Sequence, residues 1–445
     1  MKINDIIIIG IALSLMSCNK EKKSIQIEVS TYHASLDKLT EVMIHDIFSP
    51  PVASRIYVYP NIAAYEVLHQ SSEKYESLTH QLNGLNSLKN TSKDESINLK
   101  LAAIIAYLDV SKDLVFSKEM LTSYRDSLYT KWKNTNAKEF KTAKKYGLNI
   151  SNQIIAWMNQ DAYLDIRGLP DYNIYTDDPS VWKPTPPGYM KAIEPHWNKL
   201  RPFALDSAAQ FKPNPHPEFS MHPESDFYKE LYSVYATSNR IRKQGDESEE
   251  IAIARFWDCN PFVSVNKGHF MFAEKKITPG AHWIGICKIA CEMTDADFNE
   301  TIFAHTKTAI AIADAFISCW DEKYRSNLVR PETLIIEHID EEWLPILQTP
   351  PFPEYTSGHS VVSGSAAEAL SSIFGDDFRF LDTTEIPYGL PAREFQSFKH
   401  AANEAAISRV YGGIHYDSAV YEGKIQGENI GKLINEKLRF KKVEE

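Results

Sequence analysis

KYRSNLVRP (Lys323–Pro331), TSGHS (Thr356–Ser360) and SRVYGGIH (Ser408–His415) decide how this chain reads. These strings gather Lys323, Arg330, Arg409, Ser357, His359 and His415 into one stretch, residues 321–415. Fixed cations with a hydroxyl and imidazoles suit a tetrahedral oxyanion, because guanidinium forks bind it bidentately and Lys adds a point charge. The Gly358 amide, opening a predicted helix over Val361–Phe374, adds a backbone donor at a helix N-terminus. Arg330 precedes Pro331 and is therefore held extended, which turns its side chain back toward Lys323. Phe395, Phe398, Ala402, Ala405 and Arg409 recur at helical spacing over a predicted helix Ala392–Arg409, so Arg409 projects inward and needs a partner. Gly412-Gly413 end that helix, and His415 opens another. Its small residues Ala419, Gly423, Gly427 and Gly431 mark a face pressed tightly on a neighbour, which fixes His415 rigidly.

Outward from this stretch the pattern stays helical. A predicted helix from about Ala296 to Tyr324 is alanine-rich and carries Trp320 and Lys323 on one face. Asp314 and Asp321 lie near enough in sequence for either to orient a cation. Further helices are expected over Ser96–Val115, Phe140–Met158 and Glu249–Trp257. Asp165–Ser225 is too rich in proline for long helices, yet Trp182, Trp197, Phe203 and Phe211 argue for a packed, wrapping excursion. His216 and His222 within it read as solvated loop side chains rather than metal ligands. No strand-like alternation persists, so the expected fold is all-α: two packed helical bundles with a proline-rich wrapping segment. Their expected parts are 31–225 and 226–445, the second carrying the oxyanion site.

A 445-residue chain that is 43% hydrophobic can bury a large core. Its net charge of −11 argues against nucleic acid as a partner, so the cations above are a local feature on an acidic background. Among the five cysteines, Cys287 and Cys291 stand one helical turn apart and read as buried free thiols, since their spacing is not a familiar metal spacing. Near the N-terminus, Lys2 precedes an apolar run, Ile6–Met16, too short to span a bilayer comfortably. It ends in Leu15-Met16-Ser17-Cys18, which resembles a bacterial lipobox. Residues 1–17 are then a signal peptide and 18–30 a tether lipidated on Cys18. The expectation is an exported, cell-envelope lipoprotein, touching membrane through its anchor only. Oligomeric state is not legible.

The three strings together are Lys, six residues, Arg-Pro; then Ser-Gly-His; then Ser-Arg, five residues, His. This resembles the signature of the superfamily that joins vanadium-dependent haloperoxidases and type 2 phosphatidic acid phosphatases. The flanks WKPTPPG (Trp182–Gly188), ARFW (Ala254–Trp257), PGAHW (Pro279–Trp283), WDEKY (Trp320–Tyr324) and PPFPEY (Pro350–Tyr355) are more similar to bacterial haloperoxidases, and among those to the iodoperoxidases. The resemblance implies a vanadate cofactor with His415 as axial ligand. Lys323, Arg330, Arg409, Ser357 and the Gly358 amide would hold its oxygens, and His359 would be the acid-base partner. Trp320 and Phe352 would form pocket walls. Hydrogen peroxide and halide, above all iodide, would be the substrates. The alternative in the same superfamily is a vanadate-inhibited acid phosphatase with His415 as nucleophile. Many such phosphatases place Asp four residues after that His; here the position is Ala419, and Asp417 would face elsewhere on a helix, although a carboxylate from another segment could serve. A non-catalytic anion-binding surface lipoprotein is the third reading.

Overall fold

The computed structural model describes residues 23–442 except 72, 90–96, 176, 262, 263, 268, 269, 274 and 275. Cys18 and the apolar run before it lie outside the described residues. The described chain is helical almost throughout. In its first half run α1 (Val29–His45), α2 (Pro50–Leu68), α3 (Leu99–Leu114), α4 (Lys118–Thr135), α5 (Ala137–Met158) and the single turn α6 (Tyr163–Ile166). After the proline-rich segment come α7 (Asp226–Gln244), α8 (Glu249–Phe256), α9 (Pro279–Met293), α10 (Phe298–Ser326) and α11 (Pro331–His338). The last three are α12 (Gly358–Phe374), α13 (Phe398–Tyr411) and α14 (Asp417–Lys437). Two small antiparallel hairpins interrupt them: β1 (Ser264–Lys267) with β2 (Phe270–Ala273), and β3 (Phe380–Asp382) with β4 (Arg393–Phe395).

The second hairpin corrects the expected helix Ala392–Arg409. Its first residues are strand β4, and the helix begins only at Phe398, where the Ser397 side chain accepts from the His400 amide at 3.0 Å. Phe395 mimics helical spacing, but its ring packs on Phe380 of the paired strand, 5.5 Å between centroids. Likewise His415 does not open α14: it lies in the link before Tyr416, the N-cap of that helix.

Helix α10 is the axle. Asp297 and Glu300 form a reciprocal capping box at its start, and Asn327 in the left-handed conformation (φ 57°) ends it. It is long and apolar enough to cross a membrane, yet its apolar stretch is wholly buried inside the protein. It packs on α2 from the first half and on α9, α12 and α14 from the second, and one hydrophobic core runs continuously through both halves. The proline-rich segment wraps this axle. Asp314 accepts from the backbone amides of Phe203, Ala204 and Leu205 at 2.7, 2.7 and 3.0 Å, and Trp182 and Trp197 are buried. Asp314 is thus a clasp for the wrapping segment, and Asp321 pairs with Arg325 and accepts from Asn198. Neither carboxylate orients a cation of the Lys323 set, contrary to the expectation from sequence proximity.

The glycine stripe of α14 lies against α12. A Cβ at Gly427 would stand 2.1 Å from the Val361 carbonyl oxygen, and one at Gly423 3.1 Å from that of Ser357. Backbone therefore meets backbone where α12 begins, and the Ser357 amide donates to Ala419 O at 3.0 Å. Gly427→Ala is expected to destabilise the protein by about 1–3 kcal/mol through overpacking. A scanning-calorimetry midpoint equal to that of the parent would contradict this close approach.

Candidate functional site

The site is built where the ends of α10, α12 and α13 meet the loop 350–356. Lys323 sits in the last turn of α10, and Arg330 follows the Asn327 turn as N-cap of α11. Ser357 is the N-cap of α12, so the amide of Gly358 lies in the first turn. Arg409 is in the last turn of α13. Gly413 (φ 75°) then turns the chain so that His415 faces back; a Cβ there would also stand 2.8 Å from Ser238 Oγ.

All three cations are buried: Lys323 and Arg330 are 0% exposed and Arg409 1%. Each is held by backbone carbonyls. Lys323 Nζ donates to Pro353 O (2.9 Å) and Glu354 O (3.0 Å). Arg330 donates to Phe352 O (2.9 Å) and Ile414 O (2.8 Å). Arg409 donates to Trp257 O (2.7 Å) and Ala254 O (3.3 Å), the negative end of α8. Among the described residues none of the three forms an ion pair with a carboxylate. Burial pushes Lys323 down to about 7 and Arg330 to about 10, against the opposing pull of Glu354, and lowers Arg409 as well. An anion placed among them would favour their charged forms.

His415 completes the arrangement. Its Nδ1 meets Glu354 Oε1 at 2.7 Å, and the same oxygen accepts from the Tyr416 amide at 2.9 Å. The carboxylate accepts from Nδ1–H, so Nε2 is left as an acceptor, 3.2 Å from Arg330 Nη1. Burial, then Arg330 and Lys323, hold the ring well below the usual histidine range, so it is neutral, as a metal ligand must be. Burial raises Glu354 to about 8, against the pull of Arg330 and Lys323. His359 shares the Trp257 carbonyl region with Arg409, and burial followed by the Arg409 charge keeps it neutral too. Trp320, Phe352, Gly358, His359, Arg409 and His415 line one small cavity. The Trp320 and Phe352 rings are 5.0 Å apart, and Lys323 Nζ and Arg330 Cζ each lie 5.1 Å from the Phe352 centroid. The proline-rich segment closes this wall: Ile193 O accepts from Trp320 Nε1 and Tyr324 Oη at 3.2 and 2.6 Å.

Of the expected vanadate set, Gly358, His359, Arg409 and His415 line this cavity, Arg330 touches His415, Lys323 lies against the Phe352 wall, and Ser357 precedes Gly358 as the N-cap of α12. The fold does not bring Asp417 there; its carboxylate accepts from Ser233. The carboxylate behind His415 comes instead from Glu354, in the loop PPFPEY. The lack of Asp at position 419 therefore does not leave His415 without a carboxylate, and that argument against a phosphatase loses its force. A second unforeseen element is the support of Arg409. Trp257 of the ARFW string stacks on His282 of PGAHW at 4.4 Å, and His282 is clamped by Asp382 (2.8 Å) and Glu385 (3.2 Å). The ARFW and PGAHW strings are thus the struts under the Trp257 carbonyl.

The donors fit a vanadate group. Arg330 Nη2 and His359 Nε2 are buried and make no hydrogen bond within the protein, so donor and base are available at the cavity. A guanidinium, an ammonium, the Ser357 hydroxyl and the Gly358 amide are oxyanion donors, and a neutral imidazole is a suitable nitrogen ligand for a metal centre.

Comparison with known proteins agrees with this chemistry. Residues 303–441 match the family model of the VCPO second helical-bundle domain. A crystal structure of a bacterial vanadium-dependent iodoperoxidase is 56% identical, with a TM-score of 0.91 over 94% of this chain and 99% of that one. A holo-type bacterial vanadium-dependent chloroperoxidase shares the fold at 16% identity and a TM-score of 0.69, over 94% of this chain and 98% of its own. No curated protein matches. A site assembled from these donors, on a chain more than half identical to one such enzyme over nearly its whole length, places the protein in the vanadium-dependent haloperoxidase family.

Proposed function

We propose that this protein binds vanadate and uses hydrogen peroxide to oxidise iodide, giving hypoiodous acid or its equivalent. One observation carries the reading: three buried cations held by carbonyls, none in an ion pair with a carboxylate among the described residues, act on a neutral His415 whose Nε2 lies 3.2 Å from Arg330. When bound, vanadate supplies a Lewis-acidic centre at which peroxide becomes an electrophilic oxygen donor to halide. His415 would hold it through Nε2, with Glu354 fixing the ring's tautomer and raising its basicity. Lys323, Arg330, Arg409, Ser357 and the Gly358 amide would hold the oxygens. His359, neutral and with Nε2 unpartnered, would accept a proton from entering peroxide and return it to the departing oxygen. The aromatic wall of Trp320 and Phe352 excludes water and offers a polarizable face to a large halide. Support for iodide is the 56% identical relative, described as an iodoperoxidase.

The Glu354–His415 pair favours one second reading, an acid phosphatase in which the carboxylate activates His415 as nucleophile. A single assay separates the two. Protein loaded with vanadate receives peroxide with iodide, bromide or chloride, while vanadate-free protein receives a phosphate monoester. Iodide oxidation dependent on vanadate is expected. Rapid ester hydrolysis with no halide oxidation would replace the first reading with the second, and tight vanadate binding with neither activity would make this a binding protein.

We further infer export and anchoring to the cell envelope through lipid on Cys18, from the apolar run Ile6–Met16 and the string Leu15-Met16-Ser17-Cys18. Cys18→Ser is expected to move the protein from membrane to soluble fractions. Unaltered fractionation would refute the anchor.

A further inference from the structure

A second group of metal-type side chains lies away from the oxyanion cavity, between α9, α10 and α1. The sulfurs of Cys287 and Cys291 and an imidazole nitrogen of His305 all lie within 4.8 Å of one another, and all three residues are buried. The cysteines face the same way because they stand one turn apart on α9. His305 comes from the adjacent α10. Its Nδ1–H donates to the Thr301 carbonyl at 2.9 Å, which leaves the Nε2 lone pair free to bind a metal; that atom is buried and has no hydrogen-bond partner. A backbone carbonyl on one ring nitrogen is the usual device for presenting the other to a metal. His33 of α1 stands beside the group, its ring centroid 5.8 Å from that of His305 and its Nε2 likewise buried and unpartnered. Both cysteines are free thiols. Helical one-turn spacing gave no metal reading by itself; it acquires one because a third donor from another helix closes the triangle.

We propose that Cys287, Cys291 and His305 form a structural site for a zinc-type divalent cation, pinning α9 to α10. Soft sulfur donors with an imidazole select such an ion over calcium or magnesium. Two thiolates balance its charge, so the filled group is neutral, as a dry core requires. Another triad, Cys259, His282 and Glu385, also has close donor atoms. There His282 is already engaged by Asp382 on one nitrogen and by Glu385 on the other, so its polar atoms are satisfied without a metal.

The test uses full-length protein, vanadate-loaded, expressed with zinc and dialysed against EDTA, with zinc and vanadium measured together by mass spectrometry. About one zinc per chain is expected. It should be lost in Cys287→Ala/Cys291→Ala and kept in Cys259→Ala. Should the double variant fail to fold, growth with cobalt gives the same answer on the parent protein. Tetrahedral cobalt should show near-ultraviolet charge transfer with the intensity of two thiolates, where the Cys259 triad could supply only one. Absence of zinc and cobalt from the parent protein overturns the proposal. So does zinc lost in Cys259→Ala but retained in the double variant, or a cobalt spectrum with a single thiolate.

Discussion

His415→Ala protein is expected to emerge from gel filtration without vanadate and to oxidise iodide at the background rate, a loss of at least about 10³-fold in kcat/KM, or about 4 kcal/mol. The size follows from the role. Every other contact to the oxyanion is one of several donors, and deleting one such donor costs about 10²-fold. In the proposed reading His415 Nε2 would instead bind the metal itself, and its alignment rests on Glu354 and on the Gly413 turn. Ser357→Ala therefore serves as the graded comparison: weakened activity with vanadate still bound. Both variants are expected to fold with lowered melting midpoints, because Ser357→Ala loses the cap of α12 and His415→Ala deprives the buried Glu354 carboxylate of its imidazole partner. Vanadate retained by His415→Ala with normal turnover would remove the assignment of His415 as a vanadate ligand, and with it the mechanism proposed above.

What the sequence disclosed, and what it hid, follows from how local each feature is. Arg409 and the glycine stripe were legible because a helix converts spacing into direction: a residue at a known phase must face a known side. The same logic failed at Phe395, where three-residue spacing to Phe398 crosses a strand and a cap rather than a turn of helix. Asp314 was misjudged for a related reason. Proximity in sequence to Lys323 on a long helix says nothing about which flank a carboxylate serves, and the amides of residues 203–205 claim it. Glu354 was beyond reach. It lies 61 residues from His415 along the chain, in a loop with no period. Only the fold brings it behind the imidazole. Its one signal was an ionisable residue among prolines and aromatics, in a string where burial is expected and an unpaired charge is not.

Glu354→Gln should then separate orientation from charge. Gln keeps an oxygen able to accept from the Tyr416 amide and from Nδ1–H of His415, so the ring stays where it is. Measured above about pH 8, where Glu354 is ionised, what disappears is the negative charge that raises the basicity of Nε2. Two effects on an oxyanion now oppose each other. Losing a carboxylate near Lys323 and Arg330 makes the pocket more positive, which favours any oxyanion. Weakening the nitrogen donor disfavours only an oxyanion that takes a fifth ligand. Outer partners of metal-bound histidines are typically worth 10–100-fold in affinity or activity. Vanadate is therefore expected to bind about 10–100-fold more weakly, with iodide oxidation falling alongside. Phosphate, which gathers the same hydrogen bonds without needing Nε2 as a ligand, should bind as well as before or more tightly. Competition of the two anions, read by calorimetry on vanadate-free protein, measures the ratio directly. A parallel loss of both would reduce Glu354 to a prop for the loop at Pro353 and Tyr355, whereas an inverted preference ties this one carboxylate to the chemistry of the fifth coordination position.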